Sequence, residues 1–278
     1  MLFIATCFTV ATMHLPVTKI DDLVRDPGLL LAGVPFAATL MSILAAHEMG
    51  HYLTARRNGV RQTLPYFIPA PTRLGTLGAL LFLRSKPPNR GALLDIAVMG
   101  PYAGLVLAIP AVAWGLAHSV ATTQPPSDIL LGDSLLFGAL RALFVPEARY
   151  LTLHPMAEAG WYGLFITSLN LIPAAQLDGG HVTYAMFGRA HGMVSLAASV
   201  ALLVSGALML GMDGLAPARL TGGLWVSWAA LLLLFSAGHA EVADRALPLS
   251  RAQRVRGIGA LVAFALTFIP VPFFIVSP

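Results

Sequence analysis

The feature that most constrains this sequence is a series of apolar runs, several of them near the roughly 20 helical residues that cross a bilayer. Only 11% of the residues are charged, whereas soluble domains carry roughly a quarter. The sequence therefore predicts an all-α membrane protein with about seven transmembrane helices, surrounded by a lipid bilayer. The predicted spans are 1–17, which is short enough to be interfacial instead, 29–55, 92–118, 158–183, 191–211, 222–241 and 257–276.

The distribution of the 17 basic residues predicts an orientation. Connections that carry an excess of Lys and Arg face the cytoplasm. Twelve basic residues fall on one side of the seven-span order: Arg56, Arg57, Arg61, Arg73, Arg84, Lys86, Arg90, Arg189, Arg245, Arg251, Arg254 and Arg256. The other side holds Lys19, Arg25, Arg141, Arg149 and Arg219. We therefore expect the first group inside, together with the N-terminus, and we expect no nucleic-acid partner because these charges are spread among loops.

The remaining sequence features fit one polytopic domain over 1–278. Cys7 is the only cysteine, which excludes an intramolecular disulfide and disfavours a cysteine metal site. The N-terminal segment lacks a basic n-region, so we interpret it as a span rather than a signal peptide, and no chloroplast transit pattern is visible. A bacterial plasma membrane is therefore expected. In the long polar connection 119–157, DSLLFGALRALF predicts a short amphipathic surface helix.

The segment AAHEMGHYLTARR, residues 45–57, predicts a metal site. His47 and His51 are four residues apart, so a helix places both imidazoles on one face, where they can bind one zinc ion. Glu48 is offset by one position, and from there it can take a proton from a water molecule without binding the metal. Polar residues at a headgroup-facing helix end are the alternative. Ionisable residues in an apolar helix are costly, which favours the functional interpretation.

A third ligand is predicted in SLNLIPAAQLDGGH, residues 168–181. Catalytic zinc usually has three protein ligands and one open position. Asp178 precedes Gly179 and Gly180, which allow a turn or a close backbone approach. A turn of this kind is common without any metal. However, spans two and four run in the same direction in the predicted topology, so both motifs reach the inner face and can share an ion.

These motifs resemble the site-2 protease family of intramembrane metalloproteases. The resemblance rests on HEMGH at 47–51 and NLIPAAQLDGG at 170–180. It is extended by LPYFIPAPTRLGTLGALLFLRS at 64–85, SKPPNRGALLDIAVMGPYAG at 85–104 and HVTYAMFG at 181–188. It covers about 30–190 and is most similar to the cyanobacterial and chloroplast branch, without a PDZ domain. Accordingly, 29–190 is predicted to be the catalytic core, and 191–278 to add accessory transmembrane helices.

The resemblance implies zinc bound to His47, His51 and Asp178, with Glu48 as general base. It also implies that Asn170 stabilises the oxyanion, and a side-chain amide is suited to this. A helix–helix hydrogen bond is the alternative for Asn170. The resemblance further implies that Gly75–Ser85 forms a re-entrant strand, or a hairpin or loop, beside the active site. Such a hairpin either pairs with an unwound substrate or only plugs the inner leaflet.

Other residues near the motifs are interpreted as structural or as neighbours of the site rather than as metal ligands. Asp95 is expected to interact with a helix start, with orientation of a ligand histidine as the alternative. His181 is expected beside the site or at the interface, and Gly100 and Pro101 are expected to serve close helix packing. Five further histidines have no partner at ligand spacing: His14, His118, His154, His191 and His239.

The sequence thus predicts a zinc metalloendopeptidase that cuts within or next to transmembrane segments, with single-span membrane proteins as substrates and its active site near the cytoplasmic face. One alternative is a metal-ion transporter that uses the His and Asp cluster as a transit site. Transport would tolerate loss of Glu48, whereas hydrolysis would not. The other alternative is a catalytically silent scaffold.

Overall fold

The computed structural model describes residues 1–15, 26–72, 74–146, 148–235, 242–244 and 247–276. Five residues used above, and the ends of spans 1–17 and 222–241, lie outside these ranges: Lys19, Arg25, Arg73, His239 and Arg245. The described chain is mostly helical. Its α-helices are α1 (Leu2–Met13), α2 (Leu30–Arg57), α3 (Arg90–Ala117), α4 (Leu135–Phe144), α5 (Pro155–Asn170), α6 (Asp178–Phe187), α7 (His191–Gly211), α8 (Arg219–Leu234) and α9 (Arg251–Thr267).

Three helical segments of the described chain are long and apolar enough to cross a membrane: Pro27–Arg57, Arg90–Ala117 and Asp178–Gly211. The predicted count of seven spans is therefore not confirmed. The 12 residues of α1 rise only about 18 Å, less than the ~30 Å hydrocarbon layer. The last predicted span ends early, since α9 stops at Thr267 and Pro270 and Pro272 interrupt the following segment.

The predicted span 158–183 is wrong as a continuous helix. Helix α5 ends at Asn170 and α6 begins at Asp178. Pro173 lies in the break, where it has no N–H to donate and disfavours helix at the residue before it. Ala175 has a positive φ of 51°, a conformation that L-residues rarely adopt. The break turns the chain so that Asp178 begins a new helix.

Helices α2, α3 and α5 form the buried centre of the molecule, with Trp161 and Leu164 of α5 fully enclosed. Glycines permit the close approach of these helices, as in membrane helix packing generally. A Cβ at Gly50 of α2 would collide with the Met99 carbonyl of α3. A Cβ at Gly115 of α3 would likewise collide with backbone of α5. The centre is therefore held by backbone-to-backbone contact between helices.

A β-hairpin follows α2, as predicted for the Gly75–Ser85 segment. Strand β1 (Tyr66–Pro69) pairs antiparallel with β2 (Thr76–Leu80). Gly75 and Gly78 have positive φ angles, which glycine adopts without a steric penalty. Helix α1 covers the hairpin, because Thr9 Oγ1 donates to the Gly75 carbonyl at 2.7 Å.

The connection 119–157 contains the predicted short helix, α4, whose first turn is capped by Ser134 Oγ accepting from the Phe137 N–H. Phe137 is buried while Leu135 and Leu143 are exposed. Two antiparallel strand pairs flank the helix and were not predicted. Their members are β3 (Val120–Thr122) with β5 (Tyr150–Thr152), and β4 (Ile129–Leu131) with β6 (Phe273–Ile275).

Candidate metal centre

The two histidines lie on one face of α2, one turn apart, as their spacing predicts. The Nε2 atoms of His47 and His51 are 3.1 Å apart. His47 is buried and His51 nearly so. Their position in the last third of α2 places both rings against α3 and α5 rather than towards lipid.

Asp178 is the first residue of α6 and reaches both histidines. Its Oδ2 lies 3.3 Å from His47 Nε2 and 3.2 Å from His51 Nε2. The glycines after it are required by close packing, since a Cβ at Gly179 would collide with the Leu171 carbonyl. A Cβ at Gly180 would collide with the carbonyls of residues 174 and 175. The break between α5 and α6 therefore folds tightly under Asp178.

These three side chains fit a zinc ion by the spacing of their donor atoms. Tetrahedral zinc holds nitrogen and oxygen ligands at about 2.0–2.1 Å, which separates neighbouring donors by about 3.3 Å. The three observed separations are 3.1, 3.2 and 3.3 Å. Two imidazoles and one carboxylate also leave the fourth position open, as in catalytic rather than structural zinc sites. Among the described residues, this is the cluster that satisfies a metal-site geometry.

Two contacts that sequence reasoning missed fix the His51 ring. Its Nδ1–H donates to the Ile96 carbonyl of α3 at 2.8 Å, which leaves Nε2 free to bind a metal. Gly100, one turn further along α3, lies against the same ring, and a Cβ there would collide with the Nε2 atom. Gly100 therefore provides the space for a ligand, a more specific role than the predicted helix packing.

Glu48 and Asn170 lie with the ligands around one cavity of about 280 Å³. Asn170 ends α5, and its Nδ2 is 3.4 Å from His47 Nε2. The hairpin forms one wall through Ala79 and Leu80. The structure thus brings every predicted site residue to one place, and the catalytic roles of Glu48 and Asn170 stay predictions.

The other polar residues fall into two groups. His181 lines the metal cavity, as expected for a residue beside the site. Asp95 serves neither predicted purpose, because its carboxylate accepts from Arg256 Nη2 at 2.7 Å and from Gln253 Nε2 at 3.0 Å. It therefore ties α3 to α9. His14, His118, His154 and His191 lie outside the metal cavity.

Comparison with known proteins identifies the family. A model of peptidase family M50 matches residues 35–212, more than half of the chain. The chain belongs to peptidase family M50. This match includes the ligand-bearing segments of α2 and α6, so the family assignment and the metal geometry concern the same residues.

Curated M50-like relatives include plant proteins. The probable zinc metalloprotease EGY1, chloroplastic, of Arabidopsis thaliana is 36% identical over 70% of this chain and 36% of its own length. The probable zinc metalloprotease EGY2, chloroplastic, of Oryza sativa subsp. indica is 33% identical over 67% of this chain and 35% of its own length. The probable zinc metalloprotease EGY3, chloroplastic, of the same rice is 29% identical over 92% of this chain and 44% of its own length. The chain thus spans about a third of the length of the first relatives. No solved structure matches.

These relatives bear on three predictions. They support the yellow-green-protein-like branch of the site-2 proteases, an enzyme of the zinc metalloprotease class, and zinc as the cofactor. They do not favour a metal transporter. The apolar helices and the M50 family indicate a membrane protein. The relatives are named as chloroplastic proteins, so the expected bacterial plasma membrane is not supported.

Proposed function

We propose that this chain is an intramembrane zinc metalloendopeptidase that hydrolyses peptide bonds within or next to transmembrane segments. The observation that carries the proposal is the triangle of His47, His51 and Asp178 donor atoms, with sides of 3.1–3.3 Å, on a cavity that Glu48 also lines. A metal site with an open position and a neighbouring carboxylate is the arrangement of zinc peptidases.

Each side chain in the cavity has a distinct task in the proposed reaction. Zinc, when bound, polarises the scissile carbonyl and lowers the pKa of a water molecule. The Glu48 carboxylate accepts a proton from the attacking water and later delivers it to the leaving amine. Asn170 Nδ2–H donates to the developing oxyanion, and its place 3.4 Å from His47 Nε2 brings it within reach of the reacting carbonyl.

The hairpin provides a means of presenting the peptide bond. A helical substrate hides its carbonyls in backbone hydrogen bonds, so it must unwind before hydrolysis. Strand β2 forms a wall of the metal cavity through Ala79 and Leu80, with Leu77 exposed. We propose that the unwound substrate, a single-span membrane protein, adds to this hairpin by backbone hydrogen bonds.

The distribution of basic residues supports a position of the proposed site near one membrane face. Arg56 and Arg57 lie in the last turn of α2, directly after the metal ligands. Because Lys and Arg mark the cytoplasmic side, the proposed orientation puts the metal cavity near that face.

The test is cleavage of a panel of single-span substrates by purified protein in liposomes. Wild type is compared with Glu48→Gln, with a zinc chelator, and with zinc restored. Glu158→Gln is the matched control, since Glu158 lines a different cavity near the start of α5. We expect Glu48→Gln to lower kcat by at least about 10²-fold while retaining zinc, with Glu158→Gln active.

Equal cleavage by wild type and Glu48→Gln would contradict the proposed reaction. Cleavage that survives complete removal of zinc would contradict the proposal that the reaction requires zinc. Metal flux into the liposomes that survives Glu48→Gln would favour transport instead.

A further inference from the structure

A second cavity, of about 650 Å³, adjoins the metal cavity at the end of α2. Its lining comprises Tyr52, Arg56, Gly59, Val60, Arg61, Gln62 and Arg84, and it is called the arginine cavity below. Gln62 lines both this cavity and the metal cavity. A ligand bound among the arginines would therefore lie next to the proposed site of hydrolysis.

The structure forces two of these arginines together. The Arg84 N–H donates to the Arg61 carbonyl at 2.7 Å, at the base of the hairpin. The antiparallel bridge between Gln62 and Leu83 sets Arg61 directly opposite Arg84. Like charges opposite each other destabilise a strand pair. Arg56 adds a third positive charge from the last turn of α2.

No carboxylate among the described residues balances this charge. Asp95, Asp133, Glu158 and Asp178 form ion pairs within 4.0 Å, and their partners are other residues. Arg56, Arg61 and Arg84 thus line one cavity and have no acidic partner within 4.0 Å among the described residues. An anionic ligand would relieve their repulsion, and guanidinium groups bind carboxylates with paired hydrogen bonds.

Gln62 adds an acceptor for a peptide. Its Nε2 donates to the His51 carbonyl at 3.3 Å, which fixes the amide. Its Oε1 is buried and has no hydrogen-bond partner in the described part of the chain. A buried acceptor without a partner destabilises the folded state. A backbone N–H of a bound polypeptide would satisfy this oxygen.

We propose that the arginine cavity binds Asp or Glu side chains in the segment that flanks the substrate's transmembrane span, while Gln62 Oε1 accepts a backbone N–H from that segment. This inference rests on the proposed proteolytic function and names its substrate class. A polypeptide is favoured over a lipid headgroup because Gln62 joins the arginine cavity to the metal cavity, where the peptide bond would be hydrolysed.

Such a site would act as an electrostatic filter. Most membrane spans carry Lys or Arg on their cytoplasmic flank. The arginines would repel those spans and admit the uncommon span with an acidic flank. Discrimination would thus combine attraction for one class of substrate with repulsion of the other.

The test uses two single-span substrates that differ only in flanking Asp and Glu residues, replaced by Asn and Gln in the neutral version. Binding is measured to Glu48→Gln protein in liposomes of zwitterionic lipid, so that the result does not depend on cleavage. We expect Kd to be about tenfold lower for the acidic substrate at low salt, with the difference shrinking as ionic strength rises.

Substitutions in the arginine cavity test whether its side chains cause the preference for the acidic substrate. Arg61→Gln with Arg84→Gln should abolish the preference for the acidic substrate. Arg57→Gln is the matched control, because Arg57 is an exposed neighbour of Arg56 outside the cavity lining. Arg61→Glu with Arg84→Glu should reverse the preference towards a basic flank.

Equal affinity of both substrates would overturn the inference and leave the proteolytic proposal standing. A preference that persists in Arg61→Gln with Arg84→Gln would also overturn it. If these substitutions affect only binding that requires anionic lipid in the vesicles, the cavity serves a lipid headgroup and the inference fails. Wild-type protein that binds zinc but cleaves neither substrate would instead contradict the proteolytic proposal.

Discussion

Helices α3 and α7 are both long and apolar, yet they bury opposite kinds of residue. Helix α3 is enclosed on several sides, and Leu94 and Val98 are fully buried. Helix α7 instead buries a narrow polar face with Ser195 and Ser199 and exposes large apolar residues such as Met193. The difference is that between a helix surrounded by protein and one that presents its apolar side to lipid.

This comparison explains where the metal site can lie. Ionisable groups at membrane depth require an environment that supplies hydrogen bonds and excludes lipid. Helix α3 provides it through the Ile96 carbonyl and the space at Gly100. Helix α7 contributes indirectly, because Ser195 Oγ accepts from the Ala175 N–H at 2.9 Å in the break before Asp178.

The largest effect is expected when a glycine of α3, rather than one of α8, is replaced by alanine. Gly100→Ala should displace the His51 ring and reduce both zinc content and kcat/KM, the latter by at least about 100-fold. Gly223→Ala should leave both unchanged, since nothing lies within 4 Å of a Cβ there. Zinc analysis and peptide-bond cleavage measure the two effects. A Gly100→Ala protein with full zinc and activity would show that the close contact is not needed.

The second effect concerns Asn170, at the end of α5. Asn170→Ala should lower kcat by about 10²-fold with little change in KM and no loss of zinc, because it removes a donor used in the transition state. Steady-state cleavage kinetics with zinc analysis provide the measurement. A change in thermal stability with normal kcat would favour the helix–helix hydrogen bond as the role of Asn170.

A moderate effect tests the contact between α7 and the break before α6. Ser195→Ala should lower the free energy of unfolding by about 1–3 kcal/mol, because the buried Ala175 N–H loses its acceptor. Ser199→Ala is the control, since Ser199 Oγ donates only to the Ser195 carbonyl of its own helix. Thermal unfolding in detergent compares the two variants. Equal stability would show that α7 does not support the break.

The smallest effect is expected at Asp133, before α4, which pairs with Arg141 at 3.0 Å. Burial raises the pKa of the Asp133 carboxyl, and the Arg141 guanidinium opposes this. Because the folded pKa is raised, the stability that this group contributes is present at low pH and is lost as the pH rises through that pKa. Asp133→Asn should change the free energy of unfolding by less than about 0.5 kcal/mol at neutral pH. The same substitution should weaken the dependence of stability on pH at acidic pH, measured by thermal unfolding. An unchanged pH dependence would contradict the raised pKa of Asp133 as its cause.

The clustering of the three candidate ligands could be predicted in part from sequence, because the geometry of the histidine pair is local. A spacing of four residues on a helix fixes the relation of His47 to His51, and the glycines after Asp178 mark a close approach. The predicted topology brought the two segments to one membrane face, and the resemblance to site-2 proteases then implied the complete ligand set. The second strand of the hairpin lies in Gly75–Ser85, as the resemblance implied, whereas the first strand, Tyr66–Pro69, precedes that segment.

Other features depend on contacts between distant segments, which the sequence does not display. The Ile96 carbonyl carries no side-chain signal, and the need for Gly100 depends on how closely α2 approaches α3. The three-residue strands pair with partners up to about 145 positions away, as Ile129 does with Ile275. Pro173 was a visible signal for the break in span 158–183, but the apolar residues around it favoured a continuous helix.

The central claim is that His47, His51 and Asp178 hold zinc beside a Glu48 that acts without binding it. The most direct measurement is the zinc content of purified wild type, His51→Ala, Asp178→Ala, Glu48→Gln and Asp95→Asn, each compared at equal monodispersity. The account predicts about one zinc ion per chain in wild type, Glu48→Gln and Asp95→Asn, and loss of zinc in His51→Ala and Asp178→Ala. Full zinc content in Asp178→Ala, or loss of zinc in Glu48→Gln, would contradict it.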